Sequence, residues 1–248
     1  MLSIVIPAFN EEKRLPFCLE KTIEYVSLQP YEAEIIVVCD GCTDKTAEIT
    51  ASFKKSFNNL KIIEYTKNRG KGYAVKTGVL EASGDMVLFI DADYAVPIET
   101  VESFIQHLEK GYDVIIGARG LKETVITRRQ MFLRELSGKA FGRLQRFILR
   151  IPFNDTQCGF KLFTKKAAQI LFNKIKYECS YFDAELIYIA YKSGMKIKEM
   201  PVIWTHDGVT RMPIGVNRTF DLLRKLLTLK RLHKDFLQKD NLHKEQAK

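Results

Sequence analysis

Met86-Val87-Leu88-Phe89-Ile90-Asp91-Ala92-Asp93 is the stretch that decides the fold. Five consecutive apolar residues read as a buried strand, and two carboxylates separated by one residue leave its end together. Hard oxygen ligands placed this way can hold Mg²⁺ or Mn²⁺ through one or two contacts while substrate phosphates complete the shell, which suits a nucleoside diphosphate. The same Asp-x-Asp spelling also caps helices and turns, so its surroundings must decide between the two readings.

Those surroundings alternate strand and helix. Leu2 to Ile6, Glu34 to Val38, Leu60 to Ile63, Met86 to Ile90 and Val114 to Ile116 read as short buried strands, with helical patterns near Glu12 to Ser27, Thr43 to Phe57, Gly72 to Ala82 and Ile98 to Leu108. Alternation of this kind predicts right-handed crossovers and an α/β fold, a mostly parallel, Rossmann-like sheet flanked by helices, with ligands at the carboxyl ends of the strands. The informative polar residues fall at those ends: Asn10-Glu11, Asp40, Asp91 and Asp93, and Arg119. Further on, Thr127 to Arg150 and Gly215 to Leu237 read as helices, basic on one side and apolar on the other. We expect one domain over residues 1–212 and a basic amphipathic tail over 213–248.

With 248 residues, 46% of them hydrophobic, the chain can bury a sizeable core. No apolar run reaches the roughly 18 residues that span a bilayer, and no signal-peptide pattern precedes the first strand, so a cytoplasmic or peripheral protein is expected. Five cysteines argue against a disulfide framework; Cys39-Asp40-Gly41-Cys42 could be a redox dithiol or simply reduced thiols. The net charge of +9 is concentrated: eight Lys/Arg face two Glu between residues 122 and 150, and nine face four acids between 218 and 248. Such segments point to an anionic ligand or surface, and either helix could lie in a membrane interface or pack with its basic face in water. RNA is not expected, because the acidic strand ends would repel a phosphate backbone.

Three more segments complete the pattern. Pro7-Ala8-Phe9-Asn10-Glu11-Glu12 ends the first strand in an aromatic and acidic turn suited to a base and ribose. Asn68-Arg69-Gly70-Lys71-Gly72 sets two cations among glycines at a helix start, where free N–H groups favour phosphate. Asp155-Thr156-Gln157-Cys158-Gly159-Phe160-Lys161 reads as a turn. The dinucleotide fingerprint and the P-loop are both absent.

Together and in this order, these segments resemble the family 2 glycosyltransferases of the GT-A fold, over about Leu2 to Arg211, and within them the dolichyl-phosphate and polyprenyl-phosphate β-glucosyltransferases. The resemblance implies that Pro7, Phe9, Asn10 and Glu11 contact the nucleoside and that Asp40 reads the base edge, with Asp44 capping the next helix and Glu12 in a first helical turn. It implies that Arg69 and Lys71 lie beside the donor and that Asp91, Ala92 and Asp93 form the divalent-metal motif, with Asp91 and Asp93 as ligands; Arg211 or Lys71 is expected to assist the diphosphate as a fixed cation. Ala95 stands where the mannosyl branch often has a third ligand. That difference favours UDP-glucose over GDP-mannose.

The activity implied is transfer of a hexose to a polyprenyl phosphate, with inversion, at a membrane surface. A phosphate monoester is already largely dianionic near neutrality and needs positioning rather than deprotonation. Arg119, Arg134 and Lys161 are the expected contacts for that phosphate. Asp183 could be a base for a hydroxyl acceptor, a sugar contact, or the N-cap of a helix over Ala184 to Lys192; Gln157 is a further sugar contact, and His206 a loop residue near the donor. The rivals are a family 2 transferase acting on a sugar hydroxyl and a module that binds nucleotide sugar or RNA without turnover.

Overall fold

The computed structural model describes residues 1–128, 132–205 and 216–234; side chains at 128, 132–137, 139, 216–220 and 222 are outside this description. Strands β1 (Leu2–Ala8), β2 (Ala33–Asp40), β3 (Leu60–Tyr65) and β4 (Met86–Ile90) alternate with helices α1 (Leu15–Ser27), α2 (Thr46–Ser52) and α3 (Lys71–Leu80). Helix α4 (Val101–Glu109) and strand β5 (Val114–Ala118) follow, then β6 (Val125–Arg128), α5 (Phe132–Leu149), β7 (Phe160–Thr164), α6 (Lys165–Lys174) and α7 (Phe182–Lys192). Strands β8 (Ile197–Pro201) and β9 (Ile203–Thr205) and helix α8 (Val216–Leu232) are the last described elements.

Seven strands form one sheet in the order β3-β2-β1-β4-β7-β5-β8. Within it β7 alone runs antiparallel, between β4 and β5. The first strands are buried on both faces, which is why they read as unbroken apolar runs. Ile4, Ile6, Ile35, Val37, Leu88 and Ile90 point to one layer with α1 and α4, whereas Val5, Ile36, Val38, Val87 and Phe89 point to the other with α3, α6 and α7. The chain moves outward from β1 to β3 and then returns to place β4 on the other side of β1. The strand order therefore reverses between β1 and β4, where a crevice opens at the carboxyl ends. Residues 9–11 and 91–93 stand on its two sides.

Two sequence expectations change. The helix expected from Thr127 starts instead at Phe132, because the β-branched run Val125-Ile126-Thr127 pairs as a strand with β9 in a separate two-stranded ribbon. Phe160-Lys161, read as part of a turn, opens the inserted strand β7, with Lys161 opposite Phe89. No helix among the described residues is long and apolar enough to cross a membrane.

Candidate active site

At the end of β1 the chain turns sharply through Asn10, whose φ is +54°, a conformation asparagine tolerates better than most residues. Its Oδ1 accepts the Thr43 N–H at 2.8 Å, tying this turn to the one after β2. Glu11 accepts the Nε–H and Nη2–H of Arg14, at 2.6 and 2.5 Å, and Arg14 reaches on to within 4.0 Å of Asp93. Glu12 precedes α1 rather than opening it: its carboxylate takes the Lys45 N–H, while its own N–H goes to Asp44. Asp44 also accepts the N–H of Thr46, the first residue of α2, although the N-cap position itself is held by Lys45. Pro7 lies inside β1, and Phe9, just past its end, is 41% exposed.

Asp40 is buried at the end of β2 and accepts the backbone N–H groups of Arg69 and Gly70, both at 2.8 Å. It thereby fixes the β3–α3 loop. Gly70, the residue before α3, has a φ of +105°, and a Cβ there would lie 2.6 Å from the Glu178 carbonyl oxygen; only glycine fits. Arg69 pairs with Glu178 at 2.5 Å and covers the Tyr73 ring. Of the two thiols flanking Asp40-Gly41, Cys42 donates to the Ala8 carbonyl, and neither Cys39 nor Cys42 is in a disulfide.

Lys71, the first residue of α3, crosses the crevice to Asp91, with Nζ 2.7 Å from Oδ1. Asp91 is tied by its own N–H to the Gly159 carbonyl at 3.1 Å. The carboxylate lies so closely on Gly159 that a Cβ at 159 would stand 1.9 Å from Oδ2. Asp93, turned by its Oδ1 toward the Ala95 N–H, has its carboxyl pushed up to about 6, by burial first and then by the charge of Asp91. Two hard carboxylate donors at a strand end, one cradled over a glycine, fit a hard divalent cation. Among the described residues no group of three His, Cys, Asp or Glu is gathered for a metal, so such an ion would draw its remaining ligands from substrate or water.

The floor of the site is a buried ion pair. Lys161 and Asp183 are 0% and 3% exposed, Nζ to Oδ1 2.5 Å, and the same Nζ donates to the Cys158 carbonyl at 2.6 Å. Lys161, expected as a contact for the acceptor phosphate, thus stands beneath the turn over residues 157–159 and supports it. Helix α7 begins at Phe182 with Tyr181 before it, so Asp183 belongs to the first turn and is not the N-cap.

Beside this floor opens a cavity of about 590 Å³ between α5, the segment after β5 and residues 153–157. Arg119 lines it, but with its guanidinium bidentate on Asp155, at 2.7 and 3.0 Å, and its ring-side face toward Trp204. This pairing lowers the Asp155 carboxyl to about 2, against the pull of burial. Arg143, Arg146 and Gln157 line the same space, and the buried Gln145 donates to Thr156 at 2.6 Å. The Arg134 side chain, His206 and Arg211 lie outside the described residues.

Sequence reasoning overlooked Arg14 and Arg143. The signal for Arg14 was present, since an arginine three residues after Glu11 can reach back to it. Arg143 was one cation of eight in its segment and became distinct only once α5 had a cavity beside it.

A parallel sheet with a reversed strand order, an acidic pair at the switch point and a cation opposite it has close structural counterparts. Glucosyl-3-phosphoglycerate synthase of Mycobacterium tuberculosis, in complex with Mn²⁺, UDP and glucosyl-3-phosphoglycerate, superposes with a TM-score of 0.62 at 17% identity, covering 92% of this chain and 78% of that one. TarS of Staphylococcus aureus with UDP-GlcNAc gives a TM-score of 0.59 at 19% identity, covering 92% and 66%. The architecture is that of a GT-A glycosyltransferase. The profile described as Glycosyl transferase family 2 matches residues 3–172, and the chain belongs to that family. A dolichyl-phosphate β-glucosyltransferase of Trichomonas vaginalis is 36% identical over 235 residues, 90% of this chain and 72% of the relative. The human protein of that name is 34% identical over 221 residues, 82% of this chain and 67% of its own length.

Proposed function

We propose that this glycosyltransferase moves glucose from UDP-glucose to a polyprenyl phosphate of the dolichyl type, in a single inverting displacement at a membrane surface. The observation that carries the reading is the charge of the cavity. Among the described residues three arginines line it, and the one acid there, Asp155, is fully engaged by Arg119. A hydroxyl acceptor would need a base there, and Asp183 is sequestered against Lys161. An acceptor that arrives as an anion needs cations instead, and a dianionic phosphate monoester is its own nucleophile.

On the donor side, Phe9 offers a ring to the base, and Asp40 holds the β3–α3 loop so that Lys71 and the start of α3 face the diphosphate. Asp91 and Asp93 would hold Mg²⁺ or Mn²⁺, which when bound offsets the charge building on the leaving diphosphate. Lys71 adds a fixed cation to the same task. Arg119 and Arg143 would orient the incoming phosphate, and Gln157, which lines the same cavity, would contact the sugar. Relatives named as dolichyl-phosphate β-glucosyltransferases support the lipid acceptor, and neighbours bound to UDP or UDP-sugars support the uridine nucleotide. Five unbridged thiols fit a reducing, cytoplasmic side of the membrane.

The test is a matrix of UDP-glucose, GDP-mannose and UDP-GlcNAc against short polyprenyl phosphates and the corresponding alcohols, with Mn²⁺ or with chelator, reading nucleotide release and the anomer formed. A β-glucosyl phospholipid made only with metal is expected. Equal use of GDP-mannose, or transfer to the alcohol, would overturn the reading.

A further inference from the structure

Helices α5 and α8 pack against each other, and each exposes an apolar residue one turn ahead of an exposed cation. On α5, Phe147 is 82% exposed and precedes Arg150; on α8, Leu227 is 56% exposed and precedes Lys230. These are not core residues spilling outward. The inner sides of the two helices already bury Leu149, Leu226 and Leu229 in the core, so Phe147 and Leu227 belong to a second, outward face.

That face is crowded with positive charge. Among the described residues, Arg143, Arg150, Arg224, Lys230 and Arg231 meet no carboxylate, whereas Lys225 pairs with Asp221 within its own helix. The Lys230 amine is held below the usual lysine range, by burial first and then by repulsion from Arg150 and Lys192. Cations that meet no carboxylate among the described residues, gathered around an aromatic ring left in water, suit a surface that is anionic above and apolar below.

We propose that the Phe147–Leu227 face of α5 and α8 docks on an anionic lipid bilayer. This rests on the polyprenyl-phosphate reading and deepens it. Arg143 and Arg146 line the acceptor cavity, while Leu144 and Phe147, the residues next to them, are exposed. One helix therefore runs from the bilayer to the cavity, and a lipid phosphate would move along it without leaving the interface.

The experiment is cosedimentation of the full chain with vesicles of phosphatidylcholine alone or mixed with phosphatidylglycerol, at low and high salt. The double variant Phe147→Glu/Leu227→Glu is compared with Leu28→Glu, an apolar site at the end of α1 about as exposed as Phe147. Binding to the mixed vesicles is expected, at least tenfold weaker in high salt and at least tenfold weaker in the double variant, with Leu28→Glu unchanged. Circular dichroism checks that both variants are folded. In the double variant, transfer to acceptor in detergent should persist while transfer to acceptor embedded in vesicles falls.

Unchanged vesicle binding by the double variant would overturn the docking proposal and leave the acceptor reading standing. Vesicle binding lost in the variant, with no transfer to any polyprenyl phosphate by the unmodified chain, would sink the acceptor reading alone. A concentration-dependent dimer, or binding to homopolymer RNA, abolished by the same substitutions without vesicle binding in the unmodified chain would overturn docking in favour of that occupant.

Discussion

The carboxylate of Asp91 lies on Gly159, in the space where any other residue would carry its Cβ, 1.9 Å from Oδ2. Strand β4 supplies the acid, and the end of the loop before β7 supplies the missing side chain. Gly159→Ala should leave the fold intact, because the atoms it meets are the far end of a movable side chain, but it should turn Asp91 away from Lys71. A displacement of about 1 Å at a reacting centre costs on the order of a hundredfold in rate. We expect kcat to fall by roughly that factor with a thermal midpoint close to that of the unmodified protein, checked by nucleotide release and thermal circular dichroism. Near-normal turnover would mean that the position of Asp91 does not matter.

The parallel half of the sheet was legible because its strands are buried on both faces and spell themselves as apolar runs. Met86–Ile90 was located to the residue, since Asp91 marks its end. Strand β7 was not legible. Its Phe160-Lys161-Leu162-Phe163-Thr164 carries a lysine at a fully buried position, and the counter-charge that makes that burial tolerable, Asp183, is 22 residues away. Charges that pair across long stretches of sequence leave no local trace. For the same reason Arg119 was recognisable as a cation at a strand end, but its clamp on Asp155 was not.

Lys161 and Asp183 are a pair that can be removed together more safely than apart. Asp183→Asn leaves a buried ammonium without its counter-charge and should destabilise the protein by about 3–5 kcal/mol, a drop in thermal midpoint of roughly 10 °C for a domain of this size. Lys161→Met with Asp183→Leu should recover most of that loss. If Asp183 were instead a base, Asp183→Asn would keep its midpoint and lose the acidic limb of the pH–rate profile. Melting curves and pH profiles on the same samples separate the two.

The Arg119 clamp gives a pH signature. Because Asp155 is held down to about 2 in the fold, below its ordinary carboxylate value, the folded state binds its proton less readily than the unfolded chain. The contribution is complete above the unfolded value near 4 and is lost as pH falls from there through about 2. Denaturant titrations should show Asp155→Asn less stable than the unmodified protein by about 2 kcal/mol at pH 7, with the two curves converging toward pH 2. A constant gap down to acid would mean that the carboxylate is not what Arg119 holds.

Arg143 is exposed, lines the cavity and has no acidic partner among the described residues, whereas Arg119 is already committed to Asp155. The two arginines should therefore fail differently. Arg143→Ala removes a cation whose counter-charge is the acceptor itself, so KM for a short polyprenyl phosphate should rise about tenfold, the equivalent of one charge-assisted contact near 1.4 kcal/mol. KM for the sugar nucleotide and the thermal midpoint should not move. Arg143→Lys should recover part of the loss, since a point charge still attracts phosphate but cannot grip it through two parallel N–H groups. Arg119→Ala leaves Asp155 buried beside the cavity as an unpaired anion, so it should lower both the midpoint and kcat and repel the acceptor as well. Initial rates with each substrate varied in turn distinguish these outcomes; a rise in donor KM in Arg143→Ala would move Arg143 to the diphosphate side of the site.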